Sequence, residues 1–367
     1  MNMSQIDTPL LFEPIYKEKI WGGRNLSTSL SKELPPEILV GESWELTGFD
    51  TDWSVVQGGK HAGTTLQRLV EMFGPELLGR IPFRDALPLL YKFIDANDKL
   101  SVQVHPDDYQ ARANSWGNFG KTECWYIVEA KPEARIIVGF KEGVKLSDVE
   151  KGIKDDSLGE LLNTIPVSRG DMLFVPAGTV HAIMDGTLIY EVQESSDTTF
   201  RLYDWGRTDK AGVSRRLHIT ESLEVLDTEY HDRHKILPLT VDTPRGNRRS
   251  FRVACKYFVV EEYRLDVGGC EELPPKQSFQ VITVLDRPVE LVWTGGTMKV
   301  GTGRTVFIPA ALREISIKAD GGASFLASSV PDLRSEVIEP LRSRGVSDDS
   351  IASLGGNPTK NHLLPLL

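Results

Sequence analysis

The chain is poor in cysteine and has no basic excess. Its 367 residues include three cysteines, Cys124, Cys255 and Cys270, an odd number with no CxxC spacing. That argues against a disulfide framework and suits reduced thiols in a cytoplasmic protein. The formal net charge of -10 argues against a nucleic-acid partner, which needs a basic surface to neutralise phosphates. A small phosphorylated substrate stays open, since it needs only a local cluster of Lys and Arg. No segment approaches the ~18 consecutive apolar residues of a membrane span, so no membrane partner is expected. MNMSQIDTPLLFEPIYKEKIW has no apolar run between basic residues and a cleavage site, which argues against a signal peptide. A nucleotide phosphate loop is missing too. Gly120-Lys121-Thr122 ends like one, but the glycine required five residues earlier is Ser115, and no helix is evident after it.

What is present is a series of short apolar runs punctuated by Gly, Pro and Asp. Leu89 to Phe93, Leu100 to His105, Cys124 to Glu129, Ile136 to Phe140, Asp171 to Val175 and Thr187 to Gln193 read as strands. Their spacing predicts a mainly β chain of sandwich or barrel type. Two helical insertions fall in the N-terminal half. Thr64 precedes an apolar face of Leu66, Leu69, Val70, Phe73, Leu77 and Leu78, and Gln67 completes a capping box. A second helix is predicted to open at Ser147, with Glu150 three residues on, and to carry Leu158, Leu161 and Leu162. Residues 228 to 246 are polar and turn-rich and mark a break. Beyond it the strands resume with an echo of the first half: Gly303-x5-Pro309 matches Gly170-x5-Pro176, each spanning an apolar strand. At 367 residues the chain is long enough for two cores. The expected domains are 1–235 and 236–330, followed by a tail, 331–367, with a short helical pattern at Val337 and Leu341 and no assigned role.

Polar residues inside these runs carry the chemistry. Gln103 and His105 share one face of their strand, while Leu100, Val102 and Val104 fill the other. Gly170-x5-Pro176-x-Gly178-x2-His181 brings a strand into a tight turn and sends His181 inward from the next one. This form resembles the second signature motif of the cupin superfamily, which ends in Asn where this chain has Asp185. Five residues after the proline, the second copy has Glu314 in place of His181, and its half contains neither Gln-x-His nor His-x-His. The C-terminal domain is therefore expected to lack a metal site. Glu123 begins a strand and shares a face with Trp125 and Ile127. Cys124 faces away, as core.

Several motifs in order, Lys19-Ile20-Trp21-Gly22-Gly23, PLLYKFIDANDKLSVQVHPDD, GKTECWY, PAGTVHAI and SSDTTFRLYDWGR, resemble the type I mannose-6-phosphate isomerases of the shorter bacterial kind. The resemblance covers roughly residues 9 to 330. It implies two cupin-type jelly-roll barrels, with the helical insertions in the N-terminal one. It also implies a metal-dependent aldose–ketose isomerase that works through an enediol. The implied metal ligands are Gln103, His105, Glu123 and His181. One carboxylate, one amide and two imidazoles without a thiolate suit Zn²⁺, one ion per chain, with Mn²⁺, Fe²⁺ or Co²⁺ as other candidates.

The resemblance further assigns Arg201 to the enediolate, Asp197 to holding or relaying protons, and Lys121 to proton transfer or charge stabilisation. Lys92 is assigned to the phosphate or hydroxyls of the substrate, and Trp21 to the wall of the sugar pocket. Which group is the base stays open. Larger members have a His where this chain has Gly120. The expected partner is a small sugar phosphate, and the expected assembly is a monomer or homodimer. Two other readings compete: a different metallo-cupin enzyme, which would ordinarily present His-x-His, and a non-catalytic sugar-phosphate-binding cupin.

Overall fold

The computed structural model describes residues 5–49, 51–81, 86–208 and 212–367. Side-chain alternation decides its architecture. In Leu89–Ala96, Met172–Val175 and Thr187–Glu194 every residue is buried, as is most of Glu123–Ala130. A sheet made of such strands needs cover on both faces. These four are the centre of a seven-stranded antiparallel sheet with the order Lys235–Ile236, Met172–Val175, Glu123–Ala130, Thr187–Glu194, Leu89–Ala96, Val40–Leu46, Ile15–Gly23.

On one face Ile94, Trp125, Ile127, Leu173 and Ile189 pack against Ile136, Val138 and Ile183 of a five-stranded sheet. On the other face Tyr91, Phe93, Cys124, Phe174 and Tyr190 meet Val253, Val281, Phe307 and Leu326 of a second seven-stranded sheet. The far side of that sheet closes through Tyr263, Ile282 and Phe325 on Leu291 and Ile317 of a four-stranded sheet. The chain is thus a stack of four β layers, two cupin-type sandwiches joined back to back. Among the described residues each sandwich keeps two separate sheets and does not close into one hydrogen-bonded barrel.

The two sandwiches share one connectivity. The inner sheet of the second runs Leu10–Leu11, Thr305–Ile308, Gln280–Val284, Ala323–Ser329, Val259–Leu265, Arg248–Ala254, Leu239–Asp242, the same chain order as the first apart from the edge strand. The echoed strands after Gly170 and Gly303, Met172–Val175 and Thr305–Ile308, occupy equivalent places.

Two helix expectations need correction. The first helix is capped by Thr65, not Thr64, and its hydroxyl accepts from the Arg68 amide. Gly74 then divides the apolar stretch into Leu66–Phe73 and Pro75–Leu78. The second helix starts earlier, at Leu146, where the Asp148 carboxylate accepts from the Lys145 amide. It stops at Lys154, and Leu158 to Leu161 form a separate turn while Leu162 opens a strand. Asp156, at φ 58, makes the break. The second insertion has a packing role: its Val149 and Leu158, with Val225 of the helix Ile219–Val225, cover the outer face of the five-stranded sheet at Val104, Ile137 and Phe140.

Candidate metal centre and active site

The site grows out of strand register. Arg201 lies opposite Gln103, and Gln103 opposite His181, so adjacent strands of the five-stranded sheet set these residues level. Glu123 lies on the facing sheet, level with Val175 and Gln193. Gly178, at φ 84, turns the chain back, and its amide donates to the His105 carbonyl at 2.8 Å. A side chain-bearing residue rarely adopts that conformation, which explains the glycine. The result brings one ligand atom each from His105, Glu123 and His181 within 4.8 Å of one another, all three buried.

Hydrogen bonds orient both imidazoles. His105 Nδ1 is 2.9 Å from the Thr198 carbonyl, and His181 Nδ1 is 2.9 Å from the Thr179 carbonyl. Each Nδ1–H therefore donates, which turns the Nε2 lone pairs toward the centre, where that of His105 meets Lys121 Nζ at 3.1 Å. Burial, reinforced by the charge of Lys121, holds His105 well below the usual histidine range. Burial likewise brings His181 down to about 3, against its backbone hydrogen bond. Both rings are neutral, as ligands must be.

Glu123 is 1 % exposed, yet neither of its oxygens has a hydrogen-bond partner among the described residues. The Lys121 ammonium stands 3.1 Å from Oε2 as an ion pair and the neutral His181 Nε2 3.3 Å from Oε1, both outside hydrogen-bond geometry. A buried carboxylate without a hydrogen bond is costly, and a cation among its neighbours removes the cost. Gln103 points its amide at His181 Nε2, 3.2 Å away, and a half-turn about its last bond brings Oε1 to the same place. The four side chains fit a divalent cation.

Beside them is a cavity of about 280 Å³, lined in part by Trp21, Lys92, Lys121, Asp197 and Arg201. All five residues assigned to substrate or catalysis therefore line one cavity, together with Gln103 of the ligand set. Trp21 is buried in the first sandwich core and lines the cavity as well. Asp197 is exposed. Arg201 is half-buried, with Nε donating to Ser101 Oγ at 3.2 Å and Nη1 to the Arg216 carbonyl at 3.0 Å.

Residues outside the sequence assignment complete the electrostatics. Glu191 is the register partner of Lys92, and their charged groups lie 2.9 Å apart. Its other oxygen accepts from Trp125 Nε1 at 2.9 Å. Glu42 accepts from Trp44 Nε1 at 2.7 Å and pairs with Lys19 at 3.2 Å. Burial alone would raise the Glu42 carboxyl, but Lys92, Lys19 and the indole N–H bring it to about 2. Burial also works against the Lys92 charge, and Glu191, Glu42 and Glu123 outweigh it, holding the ammonium above the usual lysine range. The available signal for Glu191 and Lys92 was a lone charge within each apolar run, YEV and YKF.

Gly120, where larger family members have His, is fixed by close approach. A Cβ there would stand 2.6 Å from the backbone of Asp107 and Asp108. Its amide donates to Asp108 Oδ1 at 2.9 Å. This loop has no room for an imidazole without moving.

Comparison with known proteins agrees with this geometry. Residues 10–146 match the family described as phosphomannose isomerase type I, catalytic domain. Mannose-6-phosphate isomerase ManA of Bacillus subtilis (strain 168) is 36% identical over 321 residues, covering 87% of this chain and 98% of the relative. The mannose-6-phosphate isomerase of Streptococcus mutans is 41% identical over 281 residues, covering 76% of this chain and 84% of its own. The crystal structure of the mannose 6-phosphate isomerase from Bacillus subtilis aligns with a TM-score of 0.80 at 32% identity, over 88% of this chain and 99% of the other. With the fold, the motifs and the relatives in agreement, the chain belongs to the type I mannose-6-phosphate isomerases.

Proposed function

We propose that this chain interconverts mannose 6-phosphate and fructose 6-phosphate, with a zinc ion held by Gln103, His105, Glu123 and His181. The observation that carries the reading is Glu123, buried with neither oxygen hydrogen-bonded and facing two neutral imidazoles. When bound by these residues, a divalent ion would supply Lewis-acid polarisation. The remaining work falls to the side chains. Isomerisation moves a proton between C1 and C2 through an enediol, so it needs a base, a countercharge for the enediolate and a grip on the phosphate.

Arg201 supplies the countercharge, since its guanidinium keeps its proton and lines the cavity. Lys92 binds phosphate or hydroxyls and does not serve as base, because its carboxylate neighbours hold its proton. Lys121 and Asp197 remain for moving the proton, Lys121 beside the ligand set and Asp197 at the exposed rim. A remote phosphate grip converts binding energy into alignment of the reacting carbons. On this reading residues 1–235 are the catalytic domain and 236–330 its duplicate. The reading implies a cytoplasmic enzyme, monomeric or homodimeric.

The test is a coupled assay on mannose 6-phosphate before chelation, after it, and after repletion with Zn²⁺ or Mn²⁺. Activity is expected to vanish on chelation and return with metal; no turnover in any condition overturns the reading. Arg201→Ala should lower turnover by about a hundredfold or more with metal content unchanged. Unchanged turnover would remove Arg201 from its role.

A further inference from the structure

Lys121 and Glu123 are presented by a loop whose three preceding amides are each fixed. The Gly120 amide donates to Asp108 Oδ1 at 2.9 Å, and the Lys121 amide to the Pro106 carbonyl at 3.0 Å. The Thr122 amide donates to Glu194 Oε2 at 2.8 Å. Glu194 also donates its own amide to the Thr122 carbonyl at 3.1 Å, one step beyond the register pair Gln193–Glu123. Lys121 and Glu123 turn their side chains to the metal centre, where their charged groups pair at 3.1 Å. Glu194 lies on the opposite face of its strand, with Val192, and does not line the cavity.

The two acids that hold this loop meet each other. Glu194 is 2 % exposed, and its Oε1 is enclosed with no hydrogen-bond partner among the described residues. Its carboxyl lies within hydrogen-bond reach of the Asp108 carboxyl. Two such groups stay in contact only around a shared proton, because two charges at that distance repel. Burial, followed by the Asp108 charge, pushes the Glu194 carboxyl well above the usual carboxylate range, so Glu194 carries that proton.

Asp108 has a further partner in the second sandwich. The Tyr257 hydroxyl donates to Asp108 Oδ2 at 3.1 Å, from the turn between Arg248–Ala254 and Val259–Leu265. Burial, then Glu194 and Asp108, hold this phenol above the usual tyrosine range, so it stays a donor. A chain of contacts thus runs from the second sandwich through Tyr257, Asp108 and Glu194 to both sides of Lys121. Neutral acceptors would satisfy the same amides at a lower desolvation cost, so the buried acid pair points to precision rather than to stability.

We propose, resting on the isomerase reading and on the role of Lys121 in it, that Glu194 and Asp108 are positioning residues for Lys121 and that Tyr257 brings the second sandwich into that task. The test compares Glu194→Ala, Glu194→Gln and Tyr257→Phe in metal-loaded enzyme acting on mannose 6-phosphate. Glu194→Ala should lower kcat about ten- to a hundredfold while KM changes less than about twofold. Glu194→Gln keeps an oxygen for the Thr122 amide and an N–H for Asp108, as the protonated acid does, and should return kcat to within about threefold of the wild type. Tyr257→Phe removes one hydroxyl from a half-buried site, so it should fold normally and lower kcat about three- to tenfold. Hydrogen exchange without substrate gives a second readout: amides 120–122 should exchange about tenfold faster in Glu194→Ala and at the wild-type rate in Glu194→Gln. With the wild type active, unchanged kcat in Glu194→Ala, a loss confined to thermal stability, or Glu194→Gln as slow as Glu194→Ala would overturn the role of the acid pair and leave the isomerase reading intact. Unchanged kcat in Tyr257→Phe would overturn the role of the second sandwich. A wild-type enzyme without turnover would overturn the isomerase reading and this proposal with it.

Discussion

At the scale of single residues, burial sets charge states across the first sandwich and the seam behind it. The same burial that keeps His105 and His181 neutral acts on His234, which is not one of the ligands. His234 is 3 % exposed, its Nδ1 has no partner, and burial followed by the neighbouring His231 brings it down to about 3. Its folded value is depressed below the unfolded value of about 6.5, so the unfolded chain takes up the proton first. Above pH of about 6.5 both states are neutral and His234 contributes no pH dependence. As pH falls from there toward 3, stability declines by up to about 1.4 kcal/mol per pH unit. In His234→Leu the gap in urea-unfolding stability between pH 7 and pH 4.5 should shrink by about 2–3 kcal/mol. An unchanged gap would show that His234 is not a proton acceptor on unfolding. Two-residue alternation made the shared face of Gln103 and His105 and the core placement of Cys124 legible in the sequence, whereas the ligand set as a whole came from the family resemblance. Glu42 and Glu191 were not assigned, since a pair such as Lys92–Glu191 depends on register between strands almost a hundred residues apart.

At the scale of elements, the turn after Pro176 is the part on which the metal centre depends most. It is fixed from three sides: Gly178 donates to the His105 carbonyl, the Asp227 amide donates to the Gly178 carbonyl at 2.9 Å, and Lys360 Nζ donates to the Ala177 carbonyl at 2.6 Å. Lys360 also pairs with Asp227 at 2.9 Å, so the C-terminal tail ties the turn to the segment after the helix Ile219–Val225. A Cβ on Gly178 would meet Lys360 Nζ at 2.8 Å and the Val225 carbonyl at 3.0 Å, in addition to the strain of φ 84. Gly178→Ala should cost about 1–3 kcal/mol in unfolding free energy and lower metal affinity by about tenfold or more, read by competition with a chelator. Lys360→Met removes the tie without backbone strain, so it should lower metal affinity with little loss of stability; unchanged affinity would make the tail a bystander. Strands were readable along most of their length because alternation repeats over several residues. Helix starts slipped by one residue because Thr64 and Thr65 are both able to cap, and only the observed bond to Arg68 decides between them. The tail's role was illegible because it consists of contacts to a turn more than 180 residues away.

At the scale of the whole molecule, the active site stands on a back-to-back joint between two sandwiches. The inner sheets share one apolar core, which includes Phe93 and Tyr190 from the first and Val281 and Phe307 from the second. Such a joint couples the halves, since unfolding either would expose the inner face of the other. The glycine–proline echo made the duplication visible in the sequence, but sequence alone did not show how the copies face each other. Polar bonds cross the joint as well. Thr283 Oγ1 is 2.6 Å from the Tyr190 hydroxyl and 3.0 Å from Thr305 Oγ1, within a fully buried layer. Thr283→Val keeps the shape but leaves the Tyr190 phenol without this partner. Thr305 stays as the other partner of the phenol, so the loss is one buried hydrogen bond, about 0.5–1.5 kcal/mol, and the urea midpoint should fall by that equivalent. Because Tyr190 faces away from the metal site, turnover at saturating substrate should stay unchanged and unfolding should remain one transition by tryptophan fluorescence and circular dichroism. Two separated transitions would show that the sandwiches unfold independently. A drop in turnover at unchanged stability would show instead that the joint tunes the site through Glu191, the neighbour of Tyr190 on the opposite face of the strand.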